Sequence, residues 1–166
     1  MSLSKEQIAA FAQNVVQMMD GVTTVADVRG ISREQLEAVY HVAYTYYNSG
    51  KFDDAETLFK FLCMVEHTDH KYWTALGAVR HAKKDYAKAI EAYAQAALLN
   101  VNDPKPHLYA AECAMLVGNF DMADSGCVSV LALCPAGVGK NDVYRAKAEK
   151  LQSVIKALRE KAEGGK

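Results

Sequence analysis

The stretch that decides the fold is WTALGAVRHAKKDYAKAIEAYAQA, which spans residues 73–96. Several of its residues recur 34 positions earlier and 34 positions later with the same or a similar side chain. The recurring columns hold Ala43, Gly77 and Ala111; Phe52, Tyr86 and Phe120; Ala55, Ala89 and Ala123; and Phe59, Tyr93 and Cys127. Because four columns share the same two spacings, the sequence indicates an internal repeat.

The order of residues within each copy resembles the tetratricopeptide repeat, in which every copy forms two antiparallel helices. The second copy matches best, with Trp73, Leu76 and Gly77 in its first helix. No pair of helices buries its apolar face alone, so the copies must stack. The pattern predicts an all-α fold in which three tetratricopeptide repeats form a short right-handed solenoid. The repeats are expected at about residues 36–69, 70–103 and 104–137.

Helices are also predicted on both sides of the repeats. The expected segments are residues 1–31 as an N-terminal helix and connector, 32–135 as the repeats, 140–162 as a C-terminal capping helix, and 163–166 as a disordered tail. Ser4–Gln7, Ser32–Gln35 and Asp53–Glu56 have the spacing of capping boxes, which mark the starts of helices. Gly50 is placed to end a helix in the left-handed conformation, and Pro104 to open one.

Composition argues against several classes of function. Hydrophobic residues make up 51% and charged residues 23% of the 166 residues, and the formal net charge is -1. A balanced charge offers no broad electrostatic attraction for nucleic acid or for an anionic membrane. No stretch approaches the roughly 20 apolar residues that span a membrane. The first residues also lack the uninterrupted apolar core of a secretory signal, so a cytosolic protein is expected.

The reactive side chains do not predict an enzyme. The four cysteines form no C-x-x-C pair and are expected to be buried apolar residues: Cys63, Cys113, Cys127 and Cys134. His67, Asp69 and His70 lie in a turn between copies with no further ligand specified, which favours a structural turn over a metal site. No phosphate-binding glycine loop and no nucleophile motif is present. We therefore expect no catalytic residue, no metal and no cofactor.

Three tyrosines form a candidate binding stripe on the first repeat. Since a helix turns by about 100° per residue, Tyr40, Tyr44 and Tyr47 fall within about 60° of one another. Val42 and Ala43 point elsewhere and are assigned to packing columns. The stripe either packs on the N-terminal helix, coats a surface, or binds a peptide through its rings and hydroxyls. The equivalent columns of the later copies hold Thr74, Ala78 and His81, and then Leu108, Glu112 and Met115.

The same columns disfavour acidic peptides. Repeats that bind an acidic C-terminus carry a clamp of Lys, Asn and Arg side chains on their opening helices. The matching positions here hold Tyr40, Tyr44, Ala75, Lys105 and Tyr109. Only Lys105 would remain to bind a carboxylate, so an extended segment with apolar side chains is the better ligand.

The residue order also resembles a narrower family, the class II type III secretion chaperones. The matching segments are Tyr40–Tyr44, Tyr47–Ala55, Phe61–Cys63 with His67 and Asp69, Leu76–Ala78, and Ala110–Cys113 with Gly118, Ser125 and Gly126. The resemblance implies an all-helical, non-enzymatic bacterial chaperone that works without a cofactor. Its concave groove would receive an extended N-terminal segment, with spaced Pro and Leu side chains, from each of two hydrophobic translocator proteins. Both translocators would thereby stay soluble, apart and competent for secretion.

The repeat columns and the resemblance together predict the binding residues. The predicted peptide-binding set is Tyr40, Tyr44, Tyr47, Phe52, Val65, Lys71, Thr74, Ala78, His81, Leu108 and Glu112. Phe52 stands where tyrosine is frequent in the family, so one hydroxyl is missing there. The resemblance also implies homodimerisation through the N-terminal helix, whose apolar face holds Ile8, Phe11, Val15 and Met18. The alternative function is a generic repeat scaffold that joins two folded proteins, and an enzyme ranks last.

Overall fold

The computed structural model describes residues 4–19, 21, 23–137 and 141–163. These residues form nine α-helices and no β-strand, which confirms the predicted all-α fold. The helices are α1 (Lys5–Met19), α2 (Val25–Arg29), α3 (Arg33–Asn48), α4 (Phe52–Val65), α5 (His70–Ala82), α6 (Tyr86–Leu99), α7 (Pro104–Leu116), α8 (Phe120–Leu133) and α9 (Asp142–Glu163). The chain divides into two compact units, Met1–Tyr72 and Trp73–Lys166.

The 34-residue period of the sequence reappears in the helix boundaries. The second helix of each pair begins at Phe52, Tyr86 and Phe120, which are the aromatic residues of one repeat column. The ring of Tyr93 lies against Gly77 on the first helix of the second pair, where a Cβ atom would stand 2.6 Å from two ring carbons. Gly77 therefore allows the two helices of the second pair to approach closely.

The turn inside each repeat has one shared backbone conformation. Gly50, Lys84 and Gly118 have φ angles of 76°, 64° and 77°. In the second repeat, the Lys84 N–H donates to the His81 carbonyl and the following N–H donates to the Arg80 carbonyl, each at 2.9 Å. These bonds satisfy the last carbonyl groups of α5, as a left-handed C-terminal cap does. Lys84 thus adopts the conformation that glycine adopts in the other two repeats.

Replacing Lys84 with glycine is expected to raise the free energy of unfolding by about 1 kcal/mol. A side chain at positive φ brings its Cβ close to the carbonyl oxygen, and glycine removes that contact. Lys84→Ala serves as the control, since it removes the charge but keeps the Cβ. Urea unfolding of the three proteins measures the difference. A Lys84→Gly protein no more stable than Lys84→Ala would show that the turn stores no strain.

Helix starts agree with the predicted capping boxes in two cases out of three. The Ser32 hydroxyl accepts from the Gln35 N–H at 3.2 Å, and the Ser32 N–H donates to the Gln35 side chain at 2.8 Å. Ser4 and Gln7 make the same pair of bonds at the start of α1. The predicted box at Asp53 is wrong, because α4 begins at Phe52 and its N-cap residue, Lys51, makes no side-chain cap bond. Asp53 lies in the first turn instead, where a carboxylate stabilises the positive end of the helix.

The predicted broken connector contains a short helix that the hydrophobic pattern does not indicate. Thr24 caps α2 by accepting from the Asp27 N–H at 3.2 Å, while the Thr24 N–H donates to the Asp27 carboxylate at 2.8 Å. These hydrogen bonds to Thr24 hold the pKa of Asp27 below its usual value. Gly30 ends the helix with a φ angle of 66°. The four-residue capping signal Thr-Val-Ala-Asp was the available clue.

The C-terminal helix packs on the last repeat in the second unit. Ala148, Leu151 and Ile155 of α9 join one buried cluster with Cys127 and Val130 of α8. Leu158, which follows Leu151 and Ile155 at helical spacing and so continues this apolar stripe, is 40% exposed. The predicted disordered tail begins at Glu163, the last residue of α9, and its residues 164–166 lie outside the described residues. The apolar stripe thus anchors the middle of the helix.

All four cysteines are buried free thiols, as the sequence predicts. Burial raises the pKa of Cys113 to about 12 and that of Cys127 to about 11. Both thiols are therefore uncharged and unreactive at neutral pH. None of the described helices is both long enough and apolar enough to span a membrane.

Candidate functional site

The tyrosines of α3 form one continuous stacked surface in the first unit, which we call the tyrosine surface (Tyr40, Tyr44 and Tyr47). The ring centroids of Tyr40 and Tyr44 lie 6.3 Å apart with the rings nearly parallel, and those of Tyr44 and Tyr47 are also 6.3 Å apart. Phe52, at the start of α4, extends the row at 5.8 Å from Tyr47. The prediction that the three tyrosines share a face is confirmed.

Tyr40, the half-buried end of the tyrosine surface, packs on core aromatics of the same unit. The Tyr40 ring lies 5.6 Å from that of Phe59 and 5.9 Å from that of Tyr72, and both partners are 1% exposed. Burial raises the pKa of Tyr40, and it raises that of Tyr72 to about 12. Tyr44, in contrast, is 49% exposed. The Tyr40 ring is therefore held in place by packing, whereas the Tyr44 ring is accessible to a ligand.

The opposite side of α3 shows one error in the sequence analysis. Ala43 is fully buried, as its repeat column predicts, but Val42 is 48% exposed. Val42 is rotated by about 100° from Ala43, which turns it away from the buried side of the helix. The assignment of Val42 to a packing column was therefore wrong.

An ion pair borders the tyrosine surface. The Lys71 ammonium donates to both carboxylate oxygens of Glu37, at 2.9 and 2.8 Å. The same ammonium lies 3.9 Å from the centroid of the Tyr40 ring. Glu37 precedes Tyr40 by one helical turn, and the hydrogen bond from Lys71 holds the pKa of Glu37 below its usual value. The sequence analysis predicted Lys71 and missed Glu37, although the two stand one repeat period apart.

Two predicted contact residues belong to the core. Val65 of α4 is 3% exposed, and Leu108 of α7 is fully buried in the cluster that includes Cys127. Neither side chain offers a surface to a peptide. The repeat column suggested Leu108 and the family resemblance suggested Val65, but neither indicates how deeply the neighbouring side chains bury these residues. We leave both out of the proposed contact set.

The remaining predicted residues lie in the second unit and are half-buried. Thr74, Ala78 and His81 are on α5, and Glu112 is on α7. The His81 ring meets the Tyr86 ring edge-on at 5.7 Å between centroids. Their role in binding stays a prediction.

The second unit also contains an apolar cavity that the sequence analysis missed. Its volume is about 730 Å³, and its walls come from α6, α7 and α8. Small residues such as Ala97, Ala110 and Gly126 leave the space, while the Ser125 and Ser129 hydroxyls donate to carbonyls of their own helix. The available signal was a pair of small residues three positions apart on each of two helices: Ala94 and Ala97, and Ala123 and Gly126.

The turn that contains His67, Asp69 and His70 has a structural role at the start of α5. Asp69 accepts from the Lys71 N–H at 2.9 Å at the start of α5, and its carboxylate lies 3.5 Å from the Arg33 guanidinium. Among the described residues, no cluster of three or more His, Cys, Asp or Glu side chains has a geometry that would hold a metal ion. Asp69 thus acts as a helix cap and ion-pair partner.

Comparison with known proteins gives a consistent family. The family model for the tetratricopeptide repeat matches residues 36–69 and 70–103. Low calcium response locus protein H of Yersinia pestis is 31% identical over 145 residues, which is 87% of this chain and 84% of that protein.

Solved structures agree with this match. PcrH of Pseudomonas aeruginosa, in complex with the chaperone-binding region of PopD, has a TM-score of 0.74 and 35% identity, covering 78% of this chain and 97% of that one. SycD of Yersinia enterocolitica, in complex with a peptide of the translocator YopD, has a TM-score of 0.72 and 31% identity, covering 78% and 98%. Another crystal structure of SycD contains an alternative dimer. The chain belongs to the tetratricopeptide-repeat family of type III secretion translocator chaperones.

Proposed function

We propose that this protein is a cytoplasmic chaperone of a bacterial type III secretion system and not an enzyme. Its clients are two hydrophobic translocator proteins, each held through an extended N-terminal segment. Binding keeps each translocator soluble, separate from the other and competent for secretion. The proposed contacts in the first unit are Tyr40, Tyr44, Tyr47 and Phe52.

The observation that carries this proposal is the tyrosine surface. An extended peptide leaves backbone N–H and C=O groups unpaired, and tyrosine hydroxyls can bond them while the rings contact apolar side chains. The Tyr40 ring, which is held by packing, and the exposed Tyr44 ring provide such a surface without rearrangement. This lowers the entropy cost of binding. Relatives crystallised with PopD and YopD segments support a ligand of the same kind.

The chaperone activity follows from the chemistry of the client. Apolar segments destined for a membrane aggregate in water, because exposed apolar area is unfavourable there. Holding one segment of a translocator blocks its pairing with the second translocator. The client segment loses conformational entropy on binding, so the affinity is moderate and the complex can release its client at the secretion apparatus.

Co-expression tests the proposal directly. The chain is produced together with each protein that has long apolar segments and is encoded beside its gene. We expect the partner to become soluble and to co-purify with the chain, and deletion of the partner's N-terminal segment to abolish co-purification. A partner that stays insoluble would contradict the proposal. Capture of folded proteins alone would favour the scaffold alternative.

We also propose that α1 mediates a weak homodimer. Ile8, Phe11 and Val15 lie on one face of α1 and are 53%, 64% and 41% exposed. Met18 shares this face by helical spacing, and its side chain lies outside the described residues. A row of exposed apolar side chains on one helix favours association. The alternative dimer of the relative SycD supports dimerisation itself.

Replacing Phe11 with aspartate is expected to shift the protein from dimer to monomer. A carboxylate in an apolar interface loses hydration without gaining a partner. Light scattering over a range of concentrations measures the mass. Gln13→Asp is the matched control, since Gln13 is exposed on the other side of α1 and its variant should remain dimeric. An unchanged mass for Phe11→Asp would exclude this interface.

A further inference from the structure

The Glu37–Lys71 pair leaves Lys71 little capacity for a second anion. An ammonium has three N–H groups and no acceptor. Two of them serve the two oxygens of Glu37, and the nitrogen lies over the Tyr40 ring. A carboxylate arriving from a bound segment would therefore compete with Glu37 for the same donors.

The pair is also close to neutral in charge at physiological pH. The pKa of Glu37 is lowered by the hydrogen bond from Lys71, so the carboxylate is ionised and offsets the ammonium. Both side chains are about one third exposed, at 34% for Glu37 and 38% for Lys71. At this depth water screens the pair only in part, and a second carboxylate beside Glu37 would meet like-charge repulsion.

We propose that Glu37 is a specificity-determining residue: by occupying Lys71, it makes the tyrosine surface reject segments that bring a carboxylate to its Tyr40 end. This rests on the proposed function and adds a charge preference to it. Without Glu37, Lys71 would be a partly exposed cation without its carboxylate partner beside an aromatic row, and such a cation attracts acidic peptides. Glu37 thus restricts the surface to uncharged apolar segments, because its carboxylate repels acidic ones.

The test compares a peptide series on four proteins. The probe is a short capped peptide from the co-purifying N-terminal translocator segment, labelled for fluorescence anisotropy. A set of variants carries one aspartate each, at successive positions. The proteins are wild type, Glu37→Gln, the double variant Glu37→Gln/Lys71→Met, and Glu91→Gln. The last removes the same charge at an exposed position of α6 in the second unit.

The expected result is specific to charge and position. Wild type should bind the parent peptide more tightly than the peptide whose aspartate reaches Lys71. Glu37→Gln should improve binding of that peptide by about fivefold, the size expected for a partly exposed ion pair, and added salt should reduce the gain. The double variant and Glu91→Gln should show no gain. Glutamine keeps the shape of the side chain, so folding is preserved.

Two failures can be told apart. If the parent peptide binds wild type, but Glu37→Gln improves the binding of no peptide in the aspartate series, the charge preference is overturned and the proposed function stands. If the parent peptide does not bind folded wild-type protein, the proposed function fails and the inference fails with it.

Discussion

Replacing Tyr44 with alanine is expected to weaken binding of a translocator peptide about thirtyfold, a loss of about 2 kcal/mol. Tyr44 is the most exposed ring of the tyrosine surface, and its loss removes apolar contact in the middle of the row. Because about half of the side chain is already in water, the free energy of unfolding should fall by only about 0.5 kcal/mol. Anisotropy titration and thermal melts of the same preparations separate the two effects.

The matched control is Val42→Ala on the same helix. Val42 is 48% exposed against 49% for Tyr44, but it lies on another face of α3. Its truncation should leave peptide affinity unchanged. Equal affinities for Tyr44→Ala and wild type would exclude the tyrosine surface as the binding site. A large drop in melting temperature for Tyr44→Ala would instead assign the ring to packing.

Replacing Gly77 with alanine is expected to lower the free energy of unfolding by about 2 kcal/mol. The new Cβ would stand 2.6 Å from two carbons of the Tyr93 ring. That ring is 1% exposed and has little room to move. The sign is informative, since alanine in a helix is otherwise more favourable than glycine by about 1 kcal/mol. Urea unfolding measures the net effect.

A double-mutant cycle shows whether the Tyr93 ring is the cause. Tyr93→Leu removes the ring carbons that face Gly77 and is itself destabilising. In that background, Gly77→Ala should cost much less than in the wild type, because the contact is gone. A cost that is the same in both backgrounds would mean that the clash lies elsewhere.

Much of the fold and part of the site could be predicted because residues one repeat period apart occupy equivalent positions in the fold. Ala43, Gly77 and Ala111 are close-packing residues in every copy, so their spacing predicted the helix pairs. Helical geometry alone placed Tyr40, Tyr44 and Tyr47 on one face. These inferences need only local backbone geometry, which periodicity reports well.

Other features depended on packing that periodicity does not report. Leu108 matches a groove position by its repeat column and Val65 by the family resemblance, yet neighbouring side chains cover both. The pair between Glu37 and Lys71 joins residues one period apart, and its only sequence signal is the presence of opposite charges in one repeat column. Lys84 stands where the other two repeats have Gly50 and Gly118, and its backbone nevertheless keeps the positive φ angle of those glycines.

The four buried thiols can be used to measure local unfolding of this chaperone. Cys63 lies in the first unit, and Cys113, Cys127 and Cys134 lie in the second. A thiol reagent modifies such a residue only when the surrounding helices separate, so labelling rates measure local unfolding in the way that hydrogen exchange does. Mass spectrometry of briefly labelled protein would therefore show which unit opens first, and whether a bound client closes it, without any engineered probe.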